Sequence, residues 1–240
     1  FVITSVHPLR LYVFDEWLVR VCKKRFPTTI EDFDDAESFV IRDYQPLWNM
    51  ESVGPIHRQL KHNRKALLKY LDSKGIDSNA LWESMQDSLT RVVLANTPRM
   101  RDTLRYKYRH FKPFEMLRAD FIITKEGHDM ITEINMSPNL VQKNQFDEMM
   151  KRRLLTDLFQ LLGLLDENAY AQSKSDAHYR FAGSFCSSCS TQTRDKMIDA
   201  AQEIARKPPR WSLRFPVPAA SRAKFTPLLL DEEEEEEEEE

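Results

Sequence analysis

Phe114-Glu-Met-Leu-Arg-Ala-Asp-Phe-Ile-Ile-Thr-Lys-Glu-Gly-His-Asp-Met-Ile-Thr-Glu-Ile-Asn-Met-Ser-Pro-Asn-Leu140 is the stretch on which the reading of the fold turns. Its two arms, 116–124 and 129–135, are rich in Ile, Phe and Thr, whose shapes suit a pleated surface, and the Lys125 to His128 tract between them carries turn residues. This pattern predicts a β-hairpin. If Thr124 pairs with Asp129 around a four-residue turn, Asp120 falls opposite Glu133, Ile122 opposite Ile131, and Asn135 points the same way as Glu133. Phe121, Ile123, Met130, Thr132 and Ile134 then make the other, core-like face. Two opposed carboxylates repel each other, so something should offset their charge. A hard divalent cation would do so, since Mg2+ takes one or two carboxylates together with phosphates and waters. A solvated acidic face, or a register shifted by one residue, would remove the conflict as well.

The same residues resemble a known family. Ala119-Asp120-Phe121 on the first arm and Glu133-Ile134-Asn135-Met136-Ser137-Pro138 on the second are similar, in type and separation, to the metal-binding hairpin of the tubulin tyrosine ligase-like enzymes. These are ATP-grasp proteins that join amino acids to protein carboxylates. The resemblance implies an α+β fold, the C-terminal portion of an ATP-grasp fold in which an antiparallel β-sheet is flanked by helices. It also implies that Asp120, Glu133 and Asn135 are Mg2+ ligands. Near the start of the chain, Val2 to Ser5, Pro8 to Tyr12 and Leu18-Val19-Arg20 are similar to family segments reading Val-Thr-Ser, Pro-Leu-Arg-x-Tyr and Leu-Val-Arg. There the last Arg contacts ATP phosphate, which implies a cofactor-binding and catalytic role for Arg20; a guanidinium suits phosphate and stays charged. The chain departs from the family between 26 and 53, where a His-Leu-Thr-Asn stretch that touches nucleotide has Phe39-Val40-Ile41-Arg42-Asp43-Tyr44 as its nearest counterpart.

Working outward, Phe1 to Ser5, Leu9 to Phe14 and Leu18 to Cys22 read as a three-stranded meander broken by His7-Pro8. Residues 56–73 predict a helix with Leu60, Leu67, Leu68 and Leu71 at helical spacing, and 78–95 a second with Leu81, Met85, Leu89 and Val92 as its stripe. Basic and aromatic residues interleave from Arg99 to Lys112, a pattern that suits an acidic peptide or single-stranded nucleic acid, or a solvated connection. Phe146, Met149, Met150, Leu154, Leu158, Leu161 and Leu162 predict a closing helix that ends near Gly163. The expected domains are a partial, N-terminally truncated ligase-like domain over 1–167 and a mostly disordered, low-complexity linker over 168–230 with one helical segment at 193–207. A poly-acidic tail over 231–240 completes the chain.

Composition narrows the partners. Asp231 and the nine Glu that follow supply ten of the 38 acidic residues, so the preceding 230 residues carry 35 basic against 28 acidic side chains and are basic by +7. Acidic partners are expected, and the tail is expected to compete with them for the basic surface. Three Cys are too few for a disulfide framework, and Cys186-Ser-Ser-Cys189 lacks the second pair of a zinc site, which points to an unliganded linker in a reducing compartment. No segment is apolar and long enough to span a membrane. With five Gly and no Gly-rich run ending in Lys and Ser or Thr, a P-loop is excluded. The chain opens at Phe1 within an apolar run and reads as a fragment.

The implied function is an ATP-dependent ligase that adds amino acids, glutamate foremost, to protein carboxylates through an acylphosphate, with ATP and Mg2+ as cofactors. Its expected partners are free glutamate and tubulin or another acidic tail, and its expected place is the cytoplasm, on microtubules or in cilia. The intact protein is expected to be an enzyme of the polyglutamylase type, and the fragment alone to be inactive. A second reading is a degenerate relative that binds acidic microtubule tails without chemistry. Nucleic-acid binding through 99–112 ranks last.

Overall fold

The computed structural model describes residues 1–39, 44–107, 113–165, 190–218, 221, 223–226 and 228. The chain separates into two compact units.

The first unit comprises 1–14, 86–121 and 131–240. Its frame is a five-stranded sheet in the order β6-β5-β1-β2-β7, with β1 at Val2–Val6, β2 at Leu9–Phe14, β5 at Glu115–Ile123, β6 at Asp129–Met136 and β7 at Trp211–Phe215. β2 is antiparallel to β1 and to β7, and β1 is antiparallel to β5 with Val2 opposite Met116. All six residues of β2 are buried, so it packs on both faces. The two-residue alternation sorts its side chains accordingly. Leu9 and Leu11 join Ile3, Val93, Leu94 and Phe225 in one apolar cluster, while Tyr12 and Phe14 join Val2, Met150, Leu158, Leu161 and Trp211 in another. Helix α3 (Ser78–Lys107) thus supplies one cover, and α4 (Gln145–Leu162) with Trp211 supplies the other.

The expected antiparallel sheet with flanking helices is present, with several corrections. Residues 20–21 do not extend the first hairpin. They form β3, which pairs with β4 (Gln45–Pro46) in a separate two-stranded sheet in the second unit. The predicted helix over 56–73 is two helices, α1 (Gly54–Leu60) and α2 (Asn63–Asp72), because Lys61 takes a left-handed φ of 48° and His62 caps α2 by accepting from Lys65 N. α3 runs on to Lys107 through Pro98, beyond the expected end at 95. Asn96 and Thr97 bond back to the Val92 and Val93 carbonyls just ahead of the proline, and Thr97 is fully buried, so packing holds the turn that propensity disfavours.

The largest correction lies past residue 190. The linker expected to be mostly disordered contains α5 (Thr191–Arg206), the helix foreseen there, and also the unforeseen edge strand β7. Trp211 and Phe225 are fully buried in the two clusters. Arg210 makes a paired contact with Asp157 at 2.7 Å, and Asp87 holds both Arg214 and Lys224 at 2.9 Å. Glu203 of α5 accepts from Arg10 at 2.9 and 3.2 Å and from Thr4 Oγ1 at 2.6 Å, a buried ionic knot against β1 and β2. Burial and the Glu203 carboxylate push the Tyr12 phenol well above its ordinary range. The acidic tail and the Cys186–Cys189 pair lie outside the described residues, as do 40–43 and 108–112.

The second unit comprises 15–85 and 122–130. Its core gathers Leu47, Val53 and Ala66, with Val19, Val21, Ile56, Leu60, Leu67 and Tyr70 packed around them. Residues 15–17 are tied to α2: Asn63 donates to the Trp17 carbonyl at 2.9 Å, Arg64 pairs with Asp15 and lies over the Trp82 ring, and His62 contacts Asp15 and Glu16. Burial works against a charged His62, but the hydrogen bonds with Asp15 and Glu16 outweigh it and raise its pKa. Among the described residues, no helix is long and apolar enough to cross a membrane.

Candidate functional site

The hairpin of β5 and β6 forms, but its turn is shorter than expected. Gly127 N donates to the Thr124 carbonyl at 3.0 Å and Thr124 N donates to the His128 carbonyl at 2.8 Å, so the loop is the three residues 125–127. Gly127 takes φ 85°, the left-handed third position such a loop demands. Replacing it with Ala adds a Cβ 2.7 Å from Ile76 Cγ2 in a backbone region hostile to side chains. Gly127→Ala is expected to cost about 1–3 kcal/mol, read as a lowered thermal midpoint. An unchanged midpoint would contradict this turn geometry.

The shorter turn shifts the pairing by one. Counted from Thr124 opposite His128, Asp120 falls opposite Thr132, and the Thr132 hydroxyl donates to the Asp120 carbonyl at 3.0 Å. An unbroken ladder would then turn Glu133 to the far face. Thr132 and Glu133 are both exposed on this edge strand. Glu133 Oε1 nonetheless lies 3.6 Å from Arg118 Nη2, which also donates to Asp120. The apolar face is also thinner than expected, with Met130 57% exposed and Thr132 exposed on an edge strand.

Arg118 shows how the polar side chains meet. Its Nε and Nη2 donate to the two oxygens of Asp120 at 2.6 and 3.0 Å, and Nη2 lies 3.6 Å from Glu133 Oε1. Asn135 Nδ2 donates to the same Glu133 oxygen at 2.9 Å. Asp120, Glu133 and Asn135 are therefore gathered, with a guanidinium standing where a cation would neutralise both acids. The hydrogen bond with Asp120 raises the Arg118 pKa above its ordinary value. Arg118 escaped the sequence reading, although strand parity puts it two residues before Asp120 on the same face.

The segment after β6 is held in place. Ser137 takes φ 54°, a left-handed conformation uncommon in a non-glycine residue, as the chain leaves the strand ahead of Pro138. Lys151, buried on α4, donates to the Val141 carbonyl and pairs with Asp147 at 2.9 Å, while Asn144 caps α4 by accepting from Asp147 N at 2.8 Å. Arg20 belongs to the second unit, exposed on β3 with its guanidinium 4.9 Å from the Tyr44 ring centroid. The predicted basic stretch is described only in part, with the side chains of 105–107 and all of 108–112 outside the described residues.

The donor set fits a hard divalent ion that keeps waters or phosphates for its remaining positions. It offers two carboxylates drawn together by a positive charge, with the Asn135 amide bonded to one of them. Among the described residues no group of three or more His, Cys, Asp or Glu is placed to hold a metal. A divalent ion here would have at most two protein carboxylates and would depend on ligands brought by a substrate.

Residues 1–170 match the family model described as the tubulin-tyrosine ligase family, which covers more than half the chain. The chain belongs to that family. It is 25% identical over 172 residues to the tubulin monoglutamylase TTLL4 of Homo sapiens, covering 70% of this chain and 14% of the relative. It is 26% identical over 167 residues to the probable tubulin polyglutamylase ttll-15 of Caenorhabditis elegans, covering 68% of this chain and 32% of the relative. The tubulin polyglutamylase ttll-5 of the same organism is 26% identical over 166 residues, covering 66% of this chain and 23% of the relative. The chain thus spans about a third or less of the length of these relatives. The family model ends at 170, so α5 and β7 lie beyond it.

Proposed function

We propose that this chain forms part of an ATP-dependent ligase of the ATP-grasp type that adds glutamate to side-chain carboxylates of acidic protein tails, tubulin foremost. One observation carries the proposal: within the family-matched segment, the Arg118 guanidinium reaches both Asp120 and Glu133, and Asn135 bonds to the same Glu133 oxygen. Asp120 and Glu133 would hold Mg2+ through their carboxylates and Asn135 through its amide oxygen. When bound, the ion would offset phosphate charge and align the reacting groups. Arg20, exposed and backed by the Tyr44 ring, would bind a phosphate oxygen with its planar fork. A carboxylate oxygen of the acceptor would attack the γ-phosphorus, releasing ADP and leaving an acylphosphate. The amine of free glutamate would then attack the acyl carbon and expel phosphate, losing a proton as the amide forms. The names of the relatives support glutamate and tubulin as the substrate class. The expected setting is cytoplasmic and microtubule-associated.

A second reading, a binding module that holds acidic tails without chemistry, draws support from the seat of Arg118 between the two carboxylates. Incorporation of radiolabelled glutamate into tubulin by the full-length protein separates the two. ATP-dependent incorporation that vanishes in Asp120→Ala and Glu133→Ala supports the ligase. Tail binding with no incorporation supports the module.

A further inference from the structure

Arg118 makes with Asp120 the contact a metal would need to make. We infer that its guanidinium is a built-in counter-cation that competes with the divalent ion for Asp120 and Glu133, so that the site loads metal only as Arg118 swings away. The inference rests on the metal-ligand reading of Asp120, Glu133 and Asn135 given above.

Three observations carry it. The fork of Arg118 occupies both Asp120 oxygens at 2.6 and 3.0 Å, leaving neither with its full set of lone pairs for a metal. Its single positive charge also lies within 3.6 Å of a Glu133 oxygen, so a divalent ion entering between the acids would meet a like charge at close range. Finally, the pairing is built into the strand. Arg118 and Asp120 sit two apart on β5 and share a face, so the contact needs no loop to form it. Asn135 completes the cation-free arrangement by turning its Nδ2 toward Glu133 at 2.9 Å, whereas a metal would take its Oδ1. Loading therefore couples departure of the guanidinium to a turn of the amide. With side chains 29% and 32% exposed, the Arg118–Asp120 pair is of the weak kind that a divalent ion can displace, which makes it a tuning device rather than a block.

The test is Mn2+ titration of the 240-residue chain, with free Mn2+ read by electron paramagnetic resonance. Arg118→Met is expected to bind Mn2+ about tenfold more tightly than the unaltered chain, a difference of about 1.4 kcal/mol. Arg118→Lys, which keeps the charge, is expected to stay near the unaltered affinity. Adding Asp120→Asn to Arg118→Met is expected to abolish the gain. If Arg118→Met binds no more tightly while Asp120→Asn weakens binding, the carboxylates hold metal and the competition is refuted. Equal tightening by Met and Lys refutes it too, since charge would then be irrelevant. If Asp120→Asn changes nothing in either background, the metal assignment falls and this inference with it.

Discussion

Glu203→Ala is expected to destabilise the first unit by about 3–5 kcal/mol, the cost of removing one partner from a buried ion pair. Arg10 is 7% exposed and donates twice to Glu203, which also accepts from Thr4. Truncation leaves the guanidinium dry and unpaired between sheet and helix, and nothing of similar size fills the gap. The loss also removes a contact that ties α5 to β1 and β2. Because breaking a pair and replacing it are different operations, the double change Arg10→Met with Glu203→Met is expected to recover most of the stability. Urea unfolding followed by tryptophan fluorescence would measure both, Trp211 being fully buried in the cluster that holds Tyr12. A shift worth less than about 1 kcal/mol for Glu203→Ala would mean the pair behaves as a solvated one and α5 is held otherwise. The consequence reaches beyond one residue, since α5 and β7 lie outside the family-matched segment yet complete its sheet and both of its clusters.

Why the sequence hid that segment is instructive. Trp211, Leu213, Phe215 and Phe225 are spaced among Arg, Ser and Pro, and in a local window they look like scattered apolar residues in a linker. Their partner is β2, about 200 residues upstream, and pairing across such a separation leaves no mark on local composition. The hairpin was legible because alternation of Ile, Phe and Thr on both arms is local, and α4 because its apolar stripe ends at Gly163, which takes the left-handed φ of 75° that caps a helix. The turn was misjudged by one residue because four loop residues were counted where Gly127 supplies the left-handed third position of a three-residue loop. On strict alternation the observed pairing would put Asp120 and Glu133 on opposite faces, yet Arg118 lies within reach of both. Two close carboxylates need an offsetting charge, and Arg118, two residues from Asp120, supplies one from within the chain.

Asp120→Ala in the full-length protein is expected to lower the rate of glutamate incorporation by about 10²–10³-fold, the scale of losing one preorganised group that stabilises transition-state charge. The loss should fall on kcat more than on the KM for glutamate, because Asp120 would act on the phosphate charge that develops during transfer, not on recognition of the amino acid. Asp120→Ala also frees Arg118, which then, among the described residues, faces the more distant Glu133. If freeing the guanidinium were itself the cause of the loss, Asp120→Ala with Arg118→Met would regain activity. No recovery is expected, because the missing element is a ligand oxygen and not a misplaced positive charge. Glu133→Gln keeps an oxygen at its position and should lose less, with partial restoration at raised Mg2+, whereas Asp120→Ala should not respond to added metal. Incorporation by Asp120→Ala within about threefold of the unaltered protein would fall far short of what a lost charge-stabilising group costs. It would remove the carboxylates from the chemistry and leave the gathered acids as a surface ion-pair network, in which case any activity must be organised by residues outside this hairpin.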